Sequence, residues 1–121
     1  MRRRNSALAV LELFRGMTTD LWINNVLTFL YVCENEGASV SEIAQVARLL
    51  EATASRSIRS FAEPDAPGAM KPALGLVELR EDPDDGRGRL VYLTPKGRAV
   101  AERIDGLLRK AVTIASTDRA A

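Results

Sequence analysis

Apolar residues recur at helical spacing near the start of the chain. Leu8, Leu11 and Phe14 form a stripe that Val10 and Leu13 widen, which predicts a first helix over residues 5–15 with Gly16 as its stop. Thr18, Thr19 and Asp20 make a cap-like cluster. From Val26 to Cys33 the chain is apolar nearly all round, the pattern of a helix at the centre of a domain, and Gly37 ends it. Ser39 and Glu42 form an S-x-x-E capping box before "IAQVARLL", where only a short helix fits. Another helix begins in "ATASRSIRSFAE". Ala54, Ile58 and Phe61 share its inward face, and Thr53, Arg56, Ser57, Arg59 and Ser60 fall mainly on the others. Residues 64–73 hold three prolines and one glycine and read as a loop. Residues 76–80 and 89–93 alternate as strands, and the Asp82-Pro83-Asp84-Asp85-Gly86 turn makes them a hairpin. Pro95 opens a last helix that is expected to reach about residue 116.

This is a mainly α chain with a small β hairpin. Its 121 residues fit one domain, 1–121. Aromatic residues are 5% of the chain, which argues against a ring-rich surface for stacking sugars or bases. A net charge of +1 does not mark a nucleic-acid binder, so any basic face must come from how the charges are distributed. With no histidine and one cysteine, Cys33, an intrachain disulfide is impossible, a Cys/His metal site is not expected, and the commonest general base is missing. Cys33 is expected to be a buried structural thiol. Trp22, Phe29 and Tyr31 are expected in core or interface packing. Arg2, Arg3 and Arg4 are either a basic arm touching phosphates or a terminus without a role. The early apolar run is interrupted by Glu12 and Arg15, too soon for a membrane span, and the chain is read as cytoplasmic.

Two short helices joined by a tight turn and followed by a hairpin describe a winged helix-turn-helix. Ala44 is small where two helices cross, and Leu49 sits in the turn. The outer face of the second helix is free to enter a major groove, with Ser55 and Arg56 near its start.

Residues from about Leu21 to Ile104 resemble the MarR family of bacterial transcription regulators. "SEIAQVARLLEATASRSIRSF" is similar to that family's helix-turn-helix. The wing match lies in Gly75-Leu76-Val77, Asp82-Pro83, Asp85-x-Arg87 and Leu93-Thr94-x-Lys96-Gly97. The resemblance implies a homodimer that binds a pseudo-palindromic operator in double-stranded DNA and represses. It also implies that Arg87 reaches the minor groove while Asp85 orients it, and that a small-molecule effector is possible. The implied division is a dimerisation helix in 1–16, a DNA-binding core with wing in 17–94, and a second dimerisation helix in 95–121. The DNA-binding candidates are Thr53, Ser55, Arg56, Arg59, Ser60, Arg87 and Arg89. No catalytic residue, metal or cofactor is expected. Arg48 stands where the family often has glycine, so a left-handed backbone is not expected there. The 64–73 loop is longer than the family pattern.

The rival reading is a winged-helix module for protein assembly. Salt separates the two, because DNA affinity falls steeply with salt and an apolar protein interface does not. The acids Asp82, Asp84 and Asp85 read as a solvated turn.

Overall fold

In the computed structural model, which describes residues 4–115, the elements run α1 (Ser6–Arg15), α2 (Ile23–Glu34), α3 (Val40–Ala47), α4 (Glu51–Arg59), β1 (Val77–Asp82), β2 (Asp85–Leu93) and α5 (Pro95–Arg109). Side chains cap the starts of α1, α3 and α5. Asn5 Oδ1 accepts the Leu8 N–H at 2.8 Å on α1. The capping box on α3 is reciprocal: Ser39 Oγ accepts from Glu42 N–H at 3.1 Å, and Glu42 accepts from Ser39 N–H at 3.0 Å. On α5, Thr94 Oγ1 accepts the Gly97 N–H at 3.0 Å, with Pro95 at the first position. The start of α2 departs from expectation. Thr18 Oγ1 accepts only the nearby Asp20 N–H, and Asn25 Oδ1 takes the Trp22 N–H at 2.8 Å.

Phe29, on α2, lies at the centre of the core. Phe14 meets it edge-on at 5.8 Å and Phe61 packs at 5.4 Å, so α1, α2 and the end of the α4 region share one aromatic cluster. Ile43, Ile58, Leu76, Val77, Val91, Val100 and Ile104 complete it.

A backbone junction joins the helices to the hairpin. Leu76 N–H donates to Phe61 O at 2.7 Å, and Thr94 N–H donates to Leu76 O at 3.0 Å. Thr94 Oγ1 donates to Gly75 O at 2.6 Å. Gly97 lies against this junction so closely that a Cβ there would sit 1.9 Å from Leu76 O. On the other edge of the hairpin, Gly37 N–H donates to Val91 O at 2.7 Å and Val91 N–H to Ala38 O at 2.9 Å. Glu36, just past α2, accepts from Leu93 N–H at 2.9 Å and with both carboxylate oxygens from Arg98 Nη2, tying the end of α2 to β2 and α5.

Three local expectations change. The strands run on into the turn, pairing Asp82 with Asp85, because cross-strand bonds continue past the alternating apolar run. The last helix stops at Arg109, since the β-branched run Val112-Thr113-Ile114 is a poor helix former. Val112 instead clasps the start of α1: Ser6 N–H donates to Val112 O at 2.9 Å, and Val112 N–H donates to Ser6 Oγ at 2.8 Å. Residues near 116, where the helix was expected to end, lie outside the described residues, as do Arg2 and Arg3. Trp22 is 79% exposed rather than packed, because it precedes the first turn of α2; Phe29 is buried and Tyr31 half-buried.

Two alanine substitutions in α5 are expected to act with opposite sign. Gly97→Ala must push the helix off Leu76 and should destabilise by about 3 kcal/mol, the upper part of the overpacking range. Gly106→Ala meets nothing within 4 Å and should stabilise by about 0.5–1 kcal/mol through helix propensity. Urea midpoints of the two variants check both.

Candidate nucleic-acid interface

Helices α3 and α4 pack together, and Ala44 on α3 is 4% exposed. The turn between them is tight because Arg48 adopts a left-handed conformation, φ 57° and ψ 44°. This corrects the expectation of a different backbone. The conformation lets Arg48 N–H reach Gln45 O at 3.2 Å and Leu49 N–H reach Ala44 O at 2.9 Å, satisfying carbonyls at the end of α3. Those bonds offset a strain of roughly 1–2 kcal/mol for a residue with a Cβ.

On α4, Ala54, Ser57 and Ile58 are buried, which turns Arg56 outward into solvent. Thr53 and Ser55 are half-buried along the two flanks. Arg59 is half-buried too, its Nε donating to Ser55 O at 3.3 Å and its Cδ resting beside Gly68 of the 64–73 loop. Ser60 departs from the expected outer face. It is 5% exposed and its hydroxyl donates to Ser57 O at 2.6 Å, because α4 has ended and the chain is turning toward buried Phe61. Sequence reading missed Asn25. Its Nδ2 donates to Ser57 Oγ at 3.0 Å, which makes it a strut between α2 and α4. The adjacent asparagines Asn24 and Asn25 at the start of an apolar helix were the available signal.

The wing displays Arg87 by an irregular pairing. Glu81 pairs with Arg89 and Asp82 with Asp85, so Gly86, Arg87 and Gly88 have no opposite residues on β1. Such a bulge bends the strand and re-aims the side chain within it. A Cβ on Gly88 would lie 3.4 Å from both Asp82 Cβ and Asp85 O, so glycine suits the tight side of this bulge. Asp85 acts on the backbone: its Oδ1 accepts the Arg87 N–H at 3.1 Å. Arg89 folds back onto the tip, donating to Gly88 O at 3.0 Å and more weakly to Gly86 O at 3.4 Å.

Charge pairing separates these arginines from four others. Arg4, Arg15, Arg80 and Arg98 each lie beside a glutamate. Among the described residues, Arg56, Arg87 and Arg89 form no ion pair. No carboxylate of the described residues offsets their charge. Among those same residues no group of His, Cys, Asp and Glu is arranged to hold a metal ion, and no helix is long and apolar enough to cross a membrane.

Solved structures share this arrangement. The S. aureus MepR–DNA complex superimposes with a TM-score of 0.64 at 20% identity, over 87% of this chain and 74% of that one. Bordetella bronchiseptica BpsR, whose DNA binding is regulated by 6-hydroxynicotinic acid, gives 0.56 at 20% identity over the same shares. A MarR protein from Peptoclostridium difficile gives 0.61 at 19%, over 84% of this chain and 57% of that one. The fold is the winged helix of the MarR regulators. No family model matches the sequence. No curated protein matches it either. The MarR-type winged helix here is a short version, with α1 and α5 as its terminal helices.

Cys33 is half-buried between α2 and α5 rather than fully enclosed. Burial, then the nearby Asp105 and Glu36 carboxylates, push its thiol from the ordinary 9.0 up to about 11. Alkylation by iodoacetamide at neutral pH should therefore run about a hundredfold slower than in the unfolded chain, from the loss of thiolate alone. The folded thiol holds its proton more tightly, so its contribution to stability is intact below pH 9 and vanishes as pH climbs through about 11. Alkylation rates measured across that window check the direction.

Proposed function

We propose that the protein is a noncatalytic, cytoplasmic, sequence-specific DNA-binding regulator that represses from a pseudo-palindromic operator as a homodimer. The observation that carries this reading is the pair of uncompensated arginines held on one scaffold: Arg56 on the outer face of α4 and Arg87 on the bulged wing. Helix α4 enters the major groove, where Arg56 reads a base edge or grips a phosphate, flanked by Thr53 and Ser55. The wing brings Arg87 to the minor groove, whose negative potential favours a guanidinium. Arg89 and Arg59, already engaged with backbone carbonyls, supply background positive charge. Ser60 takes no part, since its hydroxyl is buried. A small-molecule effector, as for BpsR, is compatible with this reading.

The dimer is proposed to form through the end of the molecule where α1 and α5 pack. Leu8 and Leu11 are 45% exposed and Leu108 is 53% exposed, whereas Phe14, Val100 and Ile104 from the same stripes are buried within the protomer. The outer leucines thus remain for a two-fold partner.

Arg56→Ala should cost about 1–3 kcal/mol of binding and relax preference at one base position. Arg87→Ala should weaken all sequences more uniformly and flatten the salt slope. Both variants should keep the parent's circular dichroism, as both side chains are exposed. Duplexes selected from a random pool provide the probe for titration at two salt concentrations. Parent-like binding by both folded variants would move the reading to protein assembly.

For the dimer, Leu11→Glu should shift the sedimentation of the micromolar protein from dimer to monomer. A monomeric parent would remove the proposed interface.

A further inference from the structure

The 64–73 loop lies back along α4 and is anchored to it. Met70 N–H donates to Arg59 O at 3.1 Å and Leu74 N–H to Ser60 O at 3.3 Å, while Ala66 and Ala69 N–H groups close turns within the loop. This path brings Lys71 to one flank of α4, the flank that also faces the start of α2. Together they enclose an open notch of about 430 Å³ whose walls include Trp22, Asn24, Thr53, Arg56 and Lys71. Among the described residues neither Arg56 nor Lys71 has a carboxylate partner within ion-pair distance. Thr53 contributes a hydroxyl and Asn24 an amide, both able to donate to an oxyanion. Asp20 also lines the notch and sets a limit on its affinity for anions.

We infer that this notch seats one backbone phosphate of the DNA, so that the 64–73 loop is a third contact element beside the reading helix and the wing. The inference rests on the DNA-binding reading above. Two cations, a hydroxyl and an amide converging on a concave surface suit a tetrahedral oxyanion. The notch is also continuous with α4 through Arg56, so a duplex held on that helix brings its own phosphates to Lys71. A free phosphate has the same chemistry, and the experiment separates the two sources.

Lys71→Gln is compared with Lys110→Gln, an equal charge change at an exposed position past the end of α5. Duplex affinity is measured from about 50 to 200 mM salt. Loss of one phosphate contact makes the salt slope shallower by about 0.9, so the fourfold rise in salt costs the Lys71 variant about 3.5-fold less affinity than it costs the parent. The Lys110 variant should keep the parent slope, and Asp20→Asn should bind more tightly than the parent. Trp22, the single tryptophan, reports the notch directly by its fluorescence. Equal slopes for the two lysine variants, with a parent that binds duplex, would overturn the inference and leave the DNA reading intact. A parent that binds no duplex at any salt would remove the DNA reading and this inference with it. Inorganic phosphate that shifts Trp22 emission in the parent but not in Lys71→Gln, with duplex binding equal in both, would assign the notch to a free anion instead.

Discussion

The contact between Gly97 and the Leu76 carbonyl fixes the relation of the three working parts. Any side chain at 97 would collide with that backbone, so the first turn of α5 can close on the base of the wing only because residue 97 is glycine. The same few residues carry the hydrogen bonds from Leu76 to Phe61, from Thr94 to Leu76, and from the Thr94 hydroxyl to Gly75. The end of the reading-helix segment, the root of β1 and the start of α5 are therefore held by one backbone lattice. Lys96 extends it by donating to Leu74 O at 2.9 Å.

That lattice is surrounded by packing that leaves little freedom between parts. Phe61 joins it directly to Phe29, and Phe29 to Phe14. Asn25 adds a polar strut from α2 to α4, and Glu36 joins α2 to β2 and α5. Arg4, Arg15, Arg80 and Arg98 lie beside glutamates, exposed pairs that each contribute little to stability. Arg56 and Arg87 are among the described arginines without such a partner, and the lattice fixes the helix and the wing that carry them relative to each other. Geometry, more than net charge, makes a near-neutral chain a candidate for binding a polyanion.

The far end is closed differently. Ser6 and Val112 exchange hydrogen bonds, so the start of α1 and the segment after α5 are clasped side by side. The clasp ties down the start of the short α1, on which Leu8 and Leu11 remain exposed, as Leu108 does on α5. A short terminal region can thus present an apolar surface without long helices.

The order of elements was legible from the sequence because it depends on local chemistry. Helical spacing located α1, α2 and α4, the Ser39–Glu42 box located α3, and Thr94-Pro95 located the start of α5. The Gly75-Leu76 and Thr94-x-x-Gly97 motifs were visible as a resemblance, though their reason, a backbone contact across the fold, was not. Burial of Ser60 and exposure of Trp22 could not be read from period alone, since each lies at a helix boundary where the period lapses. The left-handed Arg48 was likewise hidden: local preference argues against it, and hydrogen bonds to the end of α3 override that preference. The bulge that presents Arg87 depends on which strand residues pair, and Lys71 reaches the α4 flank only because the loop is bonded to Arg59 and Ser60. Sequence by itself determined what each segment becomes, through spacing and capping between near neighbours. Only the tertiary structure decided which charges remain unpaired and where they meet, because that depends on contacts between residues distant along the chain.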